Sequence, residues 1–182
     1  MKMARRKISF PPDSVLAAIV QDGDTPELLR ILTNTEDSVN IEMTNHVGLT
    51  ALHYGVLSNN IDAVKILLCQ GANVNSQDVH GFTPLHTAAA CGWVQIVSLL
   101  VIFGADVFQT TSQSELPIDL ARDIGVIRLL SQEMTRLIHQ EVYIRSRILT
   151  LLLEVKDTLI KWGIYSLNFL SNAWQSYKAK PD

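Results

Sequence analysis

His53 and His86 are the side chains whose placement most invites chemistry. Each follows a threonine by three positions, in Thr50-Ala51-Leu52-His53 and Thr83-Pro84-Leu85-His86, and the two tetrads stand 33 residues apart. An imidazole can act as a general base or a metal ligand near neutral pH. Neither role finds partners here. No His/Cys/carboxylate cluster has the short spacings of a metal site, no nucleophile is paired with a base, and no glycine-rich loop could cradle a phosphate. Cys69 and Cys91 are the only cysteines and are expected to pack as small hydrophobes in a reducing setting. The expectation is a non-catalytic protein with no metal and no cofactor. A second chemical candidate is Ser9, inside Lys7-Ile8-Ser9-Phe10. Arg5 and Arg6 lie four and three residues before it, a context suited to kinases that prefer arginine there.

Composition narrows the classes further. The chain has 182 residues, 47% hydrophobic and 18% charged, which fits one domain plus an appendage. No run of about 18 uncharged apolar residues appears, so a spanning helix is not expected. The basic N-terminus leads into Pro11-Pro12-Asp13 and not into an apolar stretch, so no secretory signal is read and a cytoplasmic location is expected. Residues 1–10 carry four Lys/Arg and no acid, whereas residues 11–130 carry 13 Asp/Glu against 4 Lys/Arg. That acidic body disfavours nucleic acid and favours a basic protein segment.

The 33-residue period extends well beyond the two tetrads. Gly48 and Gly81, Thr50 and Thr83, Gly71 and Gly104 all recur in register. A threonine caps each leading helix, and a left-handed glycine ends each trailing one. With Thr-Pro-Leu-His, this period resembles the ankyrin repeat. The resemblance implies an all-α solenoid of about four repeats. In that motif the histidine bonds to nearby backbone and to the threonine hydroxyl, an ordering role and not a catalytic one. Repeat one is diverged, with Ser14-Val15-Leu16-Ala17 in place of the tetrad, Gly23 as the inter-helix glycine, and three extra residues in the loop around 33–46. Repeat four is truncated, with Leu116-Pro117-Ile118-Asp119 in register, Gly125 at the glycine position, and a second helix shortened to about 126–130. Atypical end repeats cap an apolar face that would otherwise be exposed.

Lys7-Ile8-Ser9-Phe10 fits the pattern basic, Val/Ile, any, Phe/Trp, which resembles the docking motif read by the type-1 protein phosphatase catalytic subunit. The physical basis is strand addition: backbone pairs with a sheet edge while alternate side chains fill apolar pockets. Ile8 and Phe10 are two apart and so point the same way in a strand. Arg5 and Arg6 add electrostatic attraction beside Lys7, and Pro11 cannot extend the ladder. A motif so close to an ankyrin array resembles the myosin phosphatase targeting family, across residues 7–130. The resemblance implies that Lys7, Ile8 and Phe10 dock the protein phosphatase 1 catalytic subunit while the first repeats face it. The larger family members carry an additional docking segment upstream, and only residues 1–6 precede the motif here. The longer repeat-one loop resembles instead the small Notch-regulated ankyrin inhibitors, which leaves open a scaffold or inhibitor unrelated to phosphatase.

In such repeats the hairpin tips and the exposed side of the leading helix do the binding. The candidate surface is His46, Val47, Leu49 and Leu57 in repeat two, and Val79, His80, Phe82 and Ala90 in repeat three. Leu49 and Phe82 are either contact residues or packing between neighbouring hairpins. Residues 131–177 read as a long amphipathic helix with a polar stripe through Arg136, Gln140, Arg147, Glu154, Asp157 and Lys161. Beyond about residue 149 the apolar sector is too wide for a freely solvated helix. Sealing the last repeat, pairing with another copy or a second protein, and lying in a membrane interface through residues 150–177 would each cover it. The expected organisation is a basic tail over 1–13, repeats over 14–130, the helical segment over 131–177 and a short tail over 178–182.

Overall fold

A computed structural model describes residues 12–33 and 39–161 of the chain, and within them all regular structure is helical. Two compact units are present, one ending at Met134 and the other beginning at Thr135. The first unit is a stack of helix pairs. Helix α1 (Pro12–Asp22) pairs with α2 (Thr25–Thr33), α3 (Ala51–Leu57) with α4 (Ile61–Cys69), and α5 (Pro84–Cys91) with α6 (Val94–Ile102). A single turn, α7 (Pro117–Leu120), opens the fourth repeat, and α8 (Ile124–Lys161) follows.

Helices this short are not stable alone, so packing must hold them. Leading helices stack on leading helices, α1 on α3, α3 on α5 and α5 on α7, while α2, α4 and α6 form a second layer. Leu52 and Val56 of α3, and Leu85 and Ala89 of α5, are four apart and fall on one helical face. Both pairs are buried, as are Val64 and Leu67 of α4 and Ile96, Val97 and Leu100 of α6. Val20 and Leu28 extend this core into repeat one, and Val126 and Leu130 extend it into the start of α8.

Three expectations change on inspection. Gly125 does not separate two helices. It lies inside the first turn of α8, where the Asp123 carboxylate accepts from the Gly125 N–H at 2.7 Å and the Val126 N–H at 3.2 Å. The second helix of repeat four also does not stop near residue 130; α8 runs through as one 38-residue helix. The sequence explains why, since residues 126–161 contain no glycine and no proline to end it. Finally, Cys69 and Cys91 are exposed free thiols at the ends of α4 and α5, not packed hydrophobes.

Candidate functional site

The candidate surface is built on three hairpin tips whose turns close in the same way with different residues. Asn45 Oδ1 accepts from the Val47 and Leu49 N–H groups, each at 2.9 Å. Thirty-three residues on, Asp78 Oδ1 accepts from His80 N–H at 2.9 Å and Phe82 N–H at 2.8 Å. In repeat four Thr111 Oγ1 accepts from Gln113 and Glu115 N–H, both at 3.2 Å. Each acceptor satisfies two backbone donors that a tight turn would otherwise leave unpaired.

The tips are also joined to one another. Val79 N–H donates to Val47 C=O at 3.0 Å, and Ser112 N–H donates to His80 C=O at 2.9 Å. That approach requires glycine. Gly48 has φ +86 and Gly81 φ +80, and a Cβ on Gly81 would come within 2.9 Å of the Ser112 backbone nitrogen. Val47, Val79 and His80 are therefore held in one hydrogen-bonded row.

Behind the row, the two histidines bolt each leading helix to the next hairpin. Thr50 N–H donates to His53 Nδ1 at 3.2 Å, so Nε2 carries the proton and donates to Phe82 C=O at 3.2 Å. His86 repeats the arrangement between Thr83 N–H at 3.2 Å and Glu115 C=O at 3.2 Å. Burial is the main cause that pushes both imidazoles below their ordinary pKa of 6.5. A proton on Nδ1 would also face the threonine N–H donor. Neutral, fully hydrogen-bonded histidines of this kind position backbone and leave no nitrogen free for chemistry. Among the described residues no group of three His/Cys/Asp/Glu could hold a metal ion.

His46, Val79 and His80 are exposed at the tips, with Val79 at 61%. Leu49 and Phe82 are half-buried, and the Phe82 ring lies 5.8 Å from that of His86 in a tilted contact. Phe82 thus serves hairpin packing as well as offering an edge. Leu57 and Ala90 are exposed in the last turns of α3 and α5. They lie about 10 Å along the helix from the tips, given the helical rise, so they flank the row and do not join it.

One part of this surface was not singled out in the sequence. A shallow groove of about 260 Å³ runs between α1 and the first tip, with Leu16, Ala17, Met43 and Tyr54 lining it beside His46 and Leu49. The Tyr54 hydroxyl accepts from Asn45 Nδ2 at 2.8 Å, which ties the groove wall to the turn. Tyr54 follows the tetrad histidine, and its repeat-three counterpart is Thr87, so the 33-residue comparison gave no signal for it. Lys7, Ile8, Ser9, Phe10, Arg5 and Arg6 lie outside the described residues. Among the described residues no helix is long and apolar enough to cross a membrane.

Comparison with known proteins agrees with this architecture. The family model for ankyrin repeats (3 copies) matches residues 14–111. Protein phosphatase 1 regulatory subunit 27 of Mus musculus is 34% identical over 80 residues, 44% of this chain and 51% of that protein. Its Homo sapiens counterpart is 35% identical over the same length. Notch-regulated ankyrin repeat-containing protein A of Danio rerio is 35% identical over 72 residues, 39% of this chain and 64% of that protein. The matched segment spans about half the length of the phosphatase-subunit relatives.

Proposed function

The chain belongs to the ankyrin repeat family, and from that premise we propose that it is a non-catalytic regulatory or targeting subunit of type-1 protein phosphatase. Lys7, Ile8 and Phe10 dock the catalytic subunit, with Arg5 and Arg6 as auxiliary charges. The tips at His46, Val47, Leu49, Val79, His80 and Phe82, flanked by Leu57 and Ala90, supply a second contact. The basic residues ahead of α1 act as the docking leader, the repeats over about 14–130 as the contact domain, and the helical segment proposed over 131–177 as a continuation of α8.

The observation that carries the proposal is the short chain between motif and repeats. Helix α1 begins at Pro12, two residues after Phe10, and two residues span at most about 7 Å. A docked leader therefore delivers the start of repeat one directly to the catalytic subunit. The second contact becomes effectively intramolecular, so weak tip contacts add affinity. Similarity of the repeats to a phosphatase regulatory subunit supports the same conclusion. Phosphorylation of Ser9 works against docking, because a dianion is costly beside apolar pockets.

The test is capture of the catalytic subunit by the full chain, by Ile8→Ala/Phe10→Ala and by Ser9→Asp. Capture is expected to be lost in the double variant and weakened in Ser9→Asp. Undiminished capture by Ile8→Ala/Phe10→Ala would remove the motif from the account. The similarity to the zebrafish Notch-regulated protein supports a second role, an ankyrin scaffold or inhibitor acting without the leader. That role predicts no capture by any of the three proteins.

A further inference from the structure

The part of α8 beyond Met134 presents a problem that the repeats do not. From Thr135 to Thr158 every side chain is exposed except Leu137 and Leu152, which are half-buried. Ile144, Ile148, Leu151 and Val155 are 42–51% exposed, and they recur at alternating steps of four and three. That is the spacing of a two-helix seam. Extended by one step at each end, the seam reaches Glu141 and Thr158.

We propose that the partner of this face is a second copy of the chain, paired antiparallel with the twofold axis between residues 149 and 150. In this register Ile148 of one copy meets Leu151 of the other, and Ile144 meets Val155. Every apolar layer is then matched. The two polar positions meet each other as well, Glu141 opposite Thr158, at both ends of the overlap. Glu141 is already neutralised within its own helix by Arg145 at 2.7 Å, and the Arg145 stem can lie over Leu152 of the other copy.

Charge chooses this register over the parallel one. Arg147 and Glu154 flank the seam on the same side, and neither has an ion-pair partner among the described residues. The antiparallel register sets Arg147 of each copy against Glu154 of the other, giving two symmetric pairs. A parallel pairing would instead stack Glu141 on Glu141 and leave Arg147 beside Leu152. At roughly 60–120 Å² per buried aliphatic side chain, the overlap of residues 141–158 buries on the order of 1,000 Å². This is the lower end for a specific interface, so weak, concentration-dependent association is expected. Val142, Tyr143 and Leu153 stay in water in such a dimer, which makes a lipid surface the alternative to exclude.

The experiment is sedimentation equilibrium of the full chain and of Arg147→Glu, Glu154→Arg, the double reversal and Leu151→Glu, with helicity checked by circular dichroism. Dimers are expected for the parent chain. Each single reversal should weaken association by about tenfold, because two attractive pairs become repulsive. The double reversal should restore it, and Leu151→Glu should abolish it at unchanged helicity. A parent chain still monomeric at about 300 µM, and so without any association as tight as that dissociation constant, would overturn the proposal. So would a double reversal that fails to restore association, or a monomer that floats with phosphatidylserine/phosphatidylcholine vesicles.

Discussion

Repeats two and three, and α8 beyond Met134, are built from similar proportions of apolar residues, yet they are stabilised in opposite ways. In the repeats Leu52, Val56 and Leu85 of the leading helices are fully buried in the stack, and the hairpin donors have named acceptors. In α8 beyond Met134 most aliphatics are exposed, and the hydrogen bonds of Arg145, Thr150 and Thr158 reach residues three or four positions back in the same helix. The difference shows what a 33-residue period accomplishes. Repetition brings each unit its own packing partner, whereas a helix outside the repeat must find one elsewhere.

Truncation of aliphatic side chains gives the sharpest contrast. Leu85 is fully buried in α5, which packs against α3, α6 and α7, and Leu85→Ala should lower unfolding stability by about 3 kcal/mol or more. Leu151→Ala should change the stability of the repeats by less than about 0.5 kcal/mol, as an exposed site does. Denaturant titrations of the two variants test the comparison, and equal losses would break it.

A smaller contrast lies within the repeats. Gly81→Ala must adopt φ +80 and place its Cβ 2.9 Å from the next tip, whereas Gly71 has φ +87 with nothing within 4 Å. Gly71→Ala therefore costs only the left-handed conformation, about 1 kcal/mol. Gly81→Ala costs that plus displacement of the hairpin row, about 2–3 kcal/mol in all. Thermal unfolding should rank them in that order.

The smallest effect expected is on pH dependence. Burial lowers the pKa of His53 and His86 in the folded chain, so below the ordinary value of 6.5 the unfolded chain binds protons that the folded one does not. Their contribution is full above that value and is lost as pH falls towards the lower folded pKa values. His86→Gln should flatten this part of a stability–pH curve, and a curve that does not change would remove His86 as its source.

The repeats were legible in the sequence because one residue type recurs at each structural duty: Gly48 and Gly81 at the close approach, Thr50 and Thr83 at the cap, His53 and His86 at the bolt. Where the duty is met by different residues, the pattern disappears. Asn45, Asp78 and Thr111 all close a turn through one side-chain oxygen, yet no shared letter reveals it. Tyr54 lines the groove without any counterpart in repeat three. Gly125 misled for the opposite reason, since it stands at the period but Asp123 already starts the helix there. The proposed docking leader is the extreme case, because its pattern is four residues, Lys7 to Phe10, placed two residues before α1, and the pockets that would read it belong to another protein.

Calorimetric titration of the type-1 phosphatase catalytic subunit with the intact chain and with Ile8→Ala/Phe10→Ala tests the central claim most directly. Loss of two apolar anchors from their pockets should weaken binding by about 100-fold or more, with the repeats still folded. Affinity unchanged within about twofold, a difference below 0.5 kcal/mol, would contradict a leader that docks the phosphatase.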